Sequence, residues 1–144
     1  MKNLMYVLLG VVLLVSCKPN DPLLLSERLQ KVWTANVVKE GSNTVFTKGA
    51  TTNAKPGYSQ FRLDLSSASS VRLTEFDGNT FVGAWELSTD EKTLTLISLN
   101  PQPSDTGGII AYTIGSVSDT DLALTRVSAN PKTGGTLNIY NLTR

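Results

Sequence analysis

With a single cysteine, Cys17, and no histidine, this chain has little catalytic chemistry open to it. No imidazole general base and no Ser-His-Asp arrangement can form, and one sulfur makes neither a disulfide nor a thiolate zinc site. Carboxylates remain, because two suitably separated acids can hydrolyse a glycoside. The candidate pairs, Asp119 with Asp121 and Asp90 with Glu91, flank turns, where an acid side chain serves neighbouring backbone N–H groups. Asp64, Asp77 and Asp105 lack the spacing of a calcium loop. The reading is a non-enzyme with no metal and no cofactor. Two other charges stand out: strand parity turns Glu75 inward beside Val71 and Leu73, and Arg126 inward beside Leu122 and Leu124. An inward charge needs a partner or water, so Glu75 and Arg126 are candidates for orienting a ligand, with Trp85 to line its pocket and Gly83 to leave it room. Arg62, Asp64, Arg72 and Glu86 take the opposite parity and form a solvated cross-strand pattern.

The cysteine has a context of its own. Lys2 precedes twelve residues, Leu4 to Val15, whose hydrophobicity is interrupted only by Tyr6 and Gly10. That run extends about 18 Å as a helix against a hydrocarbon core of about 30 Å, too short to span, and reads as a secretory signal peptide. Leu14-Val15-Ser16-Cys17 then resembles the lipobox of bacterial lipoproteins. The resemblance implies a signal peptide over residues 1–16, a diacylglyceryl thioether on Cys17 as the link to the membrane, and a tether over 17–21. Lys18, where an Asp would resemble an inner-membrane retention signal, favours the outer membrane within the bacterial cell envelope. Loss of Lys2 takes one of 13 basic residues, level with the 12 acidic ones. A chain so balanced offers no footprint for nucleic acid.

The domain, residues 22–144, must position the inward charges. Asp21 before Pro22 starts a helix, and Leu25, Leu29 and Val32 recur at helical spacing, which predicts a short helix from Pro22 to Lys31. From Val32 onward the apolar period becomes two. The predicted strands are Val32–Glu40, Asn43–Lys48, Tyr58–Leu65, Ser70–Phe76, Thr80–Ser88, Lys92–Leu99, Ile109–Ser118, Asp121–Ser128 and Thr136–Leu142. Long loops run over Gly49–Gly57, Asn100–Gly108 and Asn130–Gly135. A three-residue loop with Gly78 or Asn79 left-handed, rather than a two-residue Asp77-Gly78 loop, keeps Val71 and Leu73 on the face of Phe81, and a two-residue turn at Asp90-Glu91 sets Trp85 opposite Leu96 and Leu87 opposite Leu94. Short turns between neighbours fit a closed meander or a two-sheet sandwich. Closure leaves no unpaired edge, so the expected fold is all-β, an antiparallel up-and-down barrel of about eight strands behind a short N-terminal helix. Its expected core is Tyr58, Phe61, Leu63, Leu65, Trp85, Leu96, Leu122, Leu124, Leu137 and Ile139.

Trp33 at the opening of the first strand, Phe76-Asp77-Gly78, Gly83-Ala84-Trp85-Glu86-Leu87, Asp90 and Leu94-Thr95-Leu96 together resemble, in order and spacing, the small bacterial lipoproteins with a lipocalin-like domain. What this resemblance implies is a calyx holding a small hydrophobic or amphipathic ligand. The alternative is a filled barrel that presents the Gly49–Gly57 and Asn100–Gly108 loops to a protein or glycan, or blocks an enzyme as an inhibitor.

Overall fold

The computed structural model describes residues 23–144; the apolar run, Cys17 and the Asp21-Pro22 helix start lie outside the described residues. The helix α1 is one turn and a little more, Leu25–Leu29, with the Glu27 carboxylate accepting from the Leu24 N–H at 3.1 Å to satisfy one of its orphan donors. It is shorter than the pattern predicts because Lys31 N already bonds Leu29 O and the chain turns into the first strand.

Nine strands follow: β1 Val32–Glu40, β2 Asn43–Thr47, β3 Arg62–Asp64, β4 Ser70–Thr74, β5 Thr80–Leu87, β6 Thr93–Asn100, β7 Ile110–Val117, β8 Asp121–Arg126 and β9 Asn138–Thr143. All pair antiparallel, and β9 returns to β1, so the sheet is closed. The barrel has eight strand positions rather than nine, because β3 and β2 occupy successive halves of one edge of β1: Val32 to Thr34 face β3, and Val37 to Glu40 face β2. Closure satisfies backbone groups that an open sheet would leave on its edges.

Registers match the hydrophobic pattern. Leu73 lies opposite Phe81, and Gly78 at φ 81 makes the left-handed bend of a three-residue loop, donating its N–H to Glu75 O. Trp85 faces Leu96 and Leu87 faces Leu94. The interior is filled by side chains: Trp33, Tyr58, Leu63, Leu65, Leu73, Leu94 and Leu96 are fully buried, and each such leucine contributes roughly 1.5–3 kcal/mol relative to exposure.

Two expectations need correction. The predicted strand from Tyr58 is a 3-10 turn, Pro56–Gln60, followed by only three strand residues. Pro56 has no N–H for a ladder, and Tyr58 instead turns its ring inward to bond Glu40. In β9 the parity is the reverse of that expected: Asn138, Tyr140 and Leu142 are buried, whereas Leu137 is half exposed and Ile139 partly so. Apolar side chains occupy both parities of this segment, so period alone does not choose. The choice follows from Tyr140, which stacks on Phe61 at 4.9 Å between centroids, and from Asn138, whose amide finds partners inside.

Candidate functional site

The residues with chemistry gather at one end of the barrel, where β1, β4 and β8 finish and β9 begins. Glu75 is set by the hairpin that follows β4, its N–H bonded to Asn79 O at 2.9 Å. Arg126 ends β8 directly opposite Tyr112 on β7. Both side chains are buried, Glu75 4% and Arg126 2% exposed, as their parity required. β4 and β8 lie half-way round the closed sheet from one another, so the pair that joins Glu75 Oε1 to Arg126 Nη1 at 3.9 Å crosses the lumen. Among the described residues Arg126 Nε–H has no hydrogen-bond partner.

Lys132 completes this group, and no pattern in the sequence marks it. It sits in the 3-10 turn Pro131–Thr133 of the loop between β8 and β9, which the buried Asn130 organises by accepting from Lys132 N at 3.1 Å. From there the ammonium reaches Glu75 Oε2 at 2.5 Å and Asp77 Oδ2 at 2.8 Å, and stands 5.1 Å from the centroid of the Phe81 ring. Burial acts to raise the Asp77 pKa, but the bonds from Lys132 and Asn79 outweigh it and hold the carboxyl below its ordinary value. Burial also acts to lower Lys132, and the two carboxylates outweigh it and raise the ammonium. The loop is thereby latched over the mouth.

A second network adjoins the first. Glu40 accepts from Lys55 Nζ at 2.7 and 2.8 Å and from Tyr58 Oη–H at 2.8 Å. Asn138 donates to Tyr140 Oη at 3.2 Å and accepts from Thr133 and Thr136. Desolvation, followed by the charge of Tyr140 and the bond to Glu40, pushes the Tyr58 phenol well up, and desolvation pushes Tyr140 to about 12. These tyrosines stay neutral, as hydrogen-bonding groups. Glu40, Tyr58, Asn138 and Tyr140, like Lys132, were not among the candidates read from strand parity. Tyr58 and Tyr140 read as aromatics that either form a platform for sugars or lipids or, more often, fill a core, and Asn138 falls on the parity expected to face solvent.

Trp85 and Gly83 stand apart from Glu75 and Arg126. Trp85 belongs to the opposite end, buried there and donating its indole N–H to Ser67 O at 2.9 Å. The room expected at Gly83 is taken by backbone. Opposite it β6 carries one extra residue, Ser98 at φ 54, and a Cβ on Gly83 would come 2.4 Å from Ile97 O. Glycine here permits a close strand approach, not a pocket.

The concavities open outward. A recess of about 240 Å3 at the polar end is lined by Lys132, Phe81, Thr80, Asn79 and the Pro101–Ser104 loop residues. A larger cleft, about 410 Å3, opens in the barrel wall beneath the Gly49–Gly57 loop. Among the described residues no group of three or more Asp, Glu, His or Cys could hold a metal ion. The polar end thus gathers two carboxylates, Glu75 and Asp77, and two cations, Arg126 and Lys132, at one mouth of the barrel.

No protein-family model and no curated protein matches this sequence. Among solved structures, the chain is similar to a lipocalin-like protein from Bacteroides uniformis ATCC 8492, with a TM-score of 0.51 and 14% identity, covering 81% of this chain and 98% of that one. It is also similar to an uncharacterized protein from Bacteroides eggerthii DSM 20697, with a TM-score of 0.49 and 11% identity over 79% of this chain and 97% of that one. At such identity the likeness to the Bacteroides uniformis protein establishes the fold alone: a lipocalin-like barrel.

Proposed function

We propose that this protein is a lipid-anchored, non-catalytic lipoprotein of the bacterial cell envelope, held in the outer membrane through diacylglyceryl-Cys17, whose lipocalin-like barrel binds a small amphipathic ligand at its polar end. The observation that carries the reading is the buried guanidinium of Arg126, facing Glu75 across the lumen with its Nε–H unpartnered among the described residues. A buried ion pair is weak as a source of stability, and hydrophobic residues of similar volume often serve as well or better. Retaining one at this end, beside other buried polar groups and above an apolar core, fits a site that orients a polar head group. Because side chains fill the axis, the apolar part of the ligand would rest in the recess on Phe81 rather than run down a calyx. Lys132 is the gate: the incoming head group takes Glu75's place on Arg126 while Lys132 stays with Asp77.

Native mass spectrometry of the soluble chain 18–144 tests this reading. A reproducible co-purifying mass, lost in Arg126→Met and retained in Arg72→Met on the outer face, supports it. A clean apo spectrum with no uptake of fatty acids or sterol-like probes overturns it. Anchoring has its own test: Cys17→Ser should leave an unprocessed precursor, and a variant that is processed and fractionates like the parent removes the lipid anchor from the proposal.

A second reading, an interaction module binding a protein or glycan, is favoured by a different observation. Ile109, Val127 and Leu137, each about half exposed, end the long loops beside β7, β8 and β9 on the outward parity of the sheet. Grouped apolar exposure of this kind marks contact surfaces.

A further inference from the structure

The connection between β2 and β3 is tied down at both ends. The Asn53 side chain accepts from Thr47 N at 2.7 Å and donates to Thr47 O at 3.1 Å, standing in for a missing strand partner. Lys48 N reaches Asn36 O at 2.7 Å, Lys55 N reaches Val45 O at 3.0 Å, and Lys55 Nζ is held by Glu40. The loop therefore has little ordering entropy left to lose when something binds beneath it.

What it covers is the fork in the barrel wall where β1 leaves β3 and takes up β2. The cleft there, about 410 Å3, lies in the size range of small-molecule sites and has the apolar lining such sites favour. Its floor is Ala35 and Phe46, both buried among the barrel residues, and Ala50 and Pro56 form its sides. Of the lining residues only Lys48 is charged; no carboxylate lines the cleft, and among the described residues Lys48 makes no ion pair. A preformed apolar cleft with one free cation at its rim is complementary to a molecule with one apolar arm and one anionic end.

We propose that this cleft is a binding site for a small anionic amphiphile, its chain laid on Phe46, Ala35 and Pro56 and its acid group on Lys48. The site is separate from the polar end: none of its lining residues belongs to the Glu75, Arg126 and Lys132 group.

Octanoate is a suitable probe, titrated into the isotopically labelled chain 18–144 and followed by amide chemical shifts, with octylamine as the control of opposite charge. The expected result is saturable shifts at Phe46, Ala50 and Asn53, a loss of roughly tenfold or more in octanoate affinity in Lys48→Glu, and octylamine binding gained by that variant. Lys48 is exposed, so the substitution leaves the fold intact; Ala50→Phe, which fills the cleft without touching its charge, should weaken octanoate in the parent and octylamine in Lys48→Glu. Arg126→Met should leave the cleft shifts unchanged, which separates this site from the polar-end reading. Octanoate affinity that is indifferent to Lys48→Glu, or shifts confined to the polar end, would overturn the proposal.

Discussion

The two ends of the barrel are built on opposite principles. At the end where α1 packs, Leu29, Trp33 and Trp85 are buried, and each indole N–H is satisfied by one carbonyl, Leu29 O for Trp33 and Ser67 O for Trp85. Arg28 ties the helix down by donating to Val117 O, with its charge left in a partly exposed position. At the other end lie all six buried polar or charged residues described: Glu40, Glu75, Arg126, Asn130, Thr133 and Asn138. The apolar end gains stability from burial with little polar desolvation. The polar end gives up hydration of several charges and recovers it only in part, since among the described residues Arg126 Nε–H stays unpartnered. One end is closed by apolar packing, the other by buried charges and hydrogen bonds.

The comparison can be broken at either end. The largest effect belongs to the apolar end, where Trp33→Ala removes a fully buried ring and its bond to Leu29 O and should cost about 3–5 kcal/mol in urea unfolding. A cost under about 1 kcal/mol would mean that the helical end is not what holds the barrel shut. At the polar end, Glu75→Leu leaves Arg126 buried without its carboxylate, and losses of about 3 kcal/mol are typical of one-sided breaks. Adding Arg126→Met should return stability to near the parent value while abolishing ligand uptake. If the double variant stays as unstable as the single one, the ion pair is a structural strut and the contrast between the ends fails. The smallest effect is alkaline. Tyr140 ionises near 10 when unfolded and near 12 in the native barrel, so the unfolded chain releases the proton first. Stability is complete below pH 10 and falls as pH rises from 10 toward 12. The urea midpoint in that window should drop more steeply for the parent than for Tyr140→Phe. Equal slopes would show that Tyr140 is hydrated in the native state.

Much of this fold was legible because alternation is a local property. The strand runs, the loop at Gly78, the facing of Trp85 with Leu96 and the inward parity of Glu75 and Arg126 all follow from side chains that switch faces at every residue. Where both parities are apolar, as at Leu137 to Leu142, alternation has no preference to express, and it is Tyr140 and Leu142, not the expected Leu137 and Ile139, that are buried. Gly83 is subtler: the missing Cβ is real, but a sequence does not reveal whether a ligand or a neighbouring strand uses the space, and here β6 does. Lys132 could not be picked out at all, because nothing periodic constrains a loop lysine until the loop is folded over its partners.

The sequence by itself determined which residues face inward along most strands, where the chain turns, and a lipobox-like setting for its lone cysteine. Only the tertiary structure decided that Glu75 meets Arg126, that Lys132 latches both Glu75 and Asp77, and that β2 and β3 share one edge of β1. The reason is one of range. Parity is fixed residue by residue along a strand, whereas partners across a lumen are chosen by how the sheet closes, and closure belongs to all eight strand positions at once.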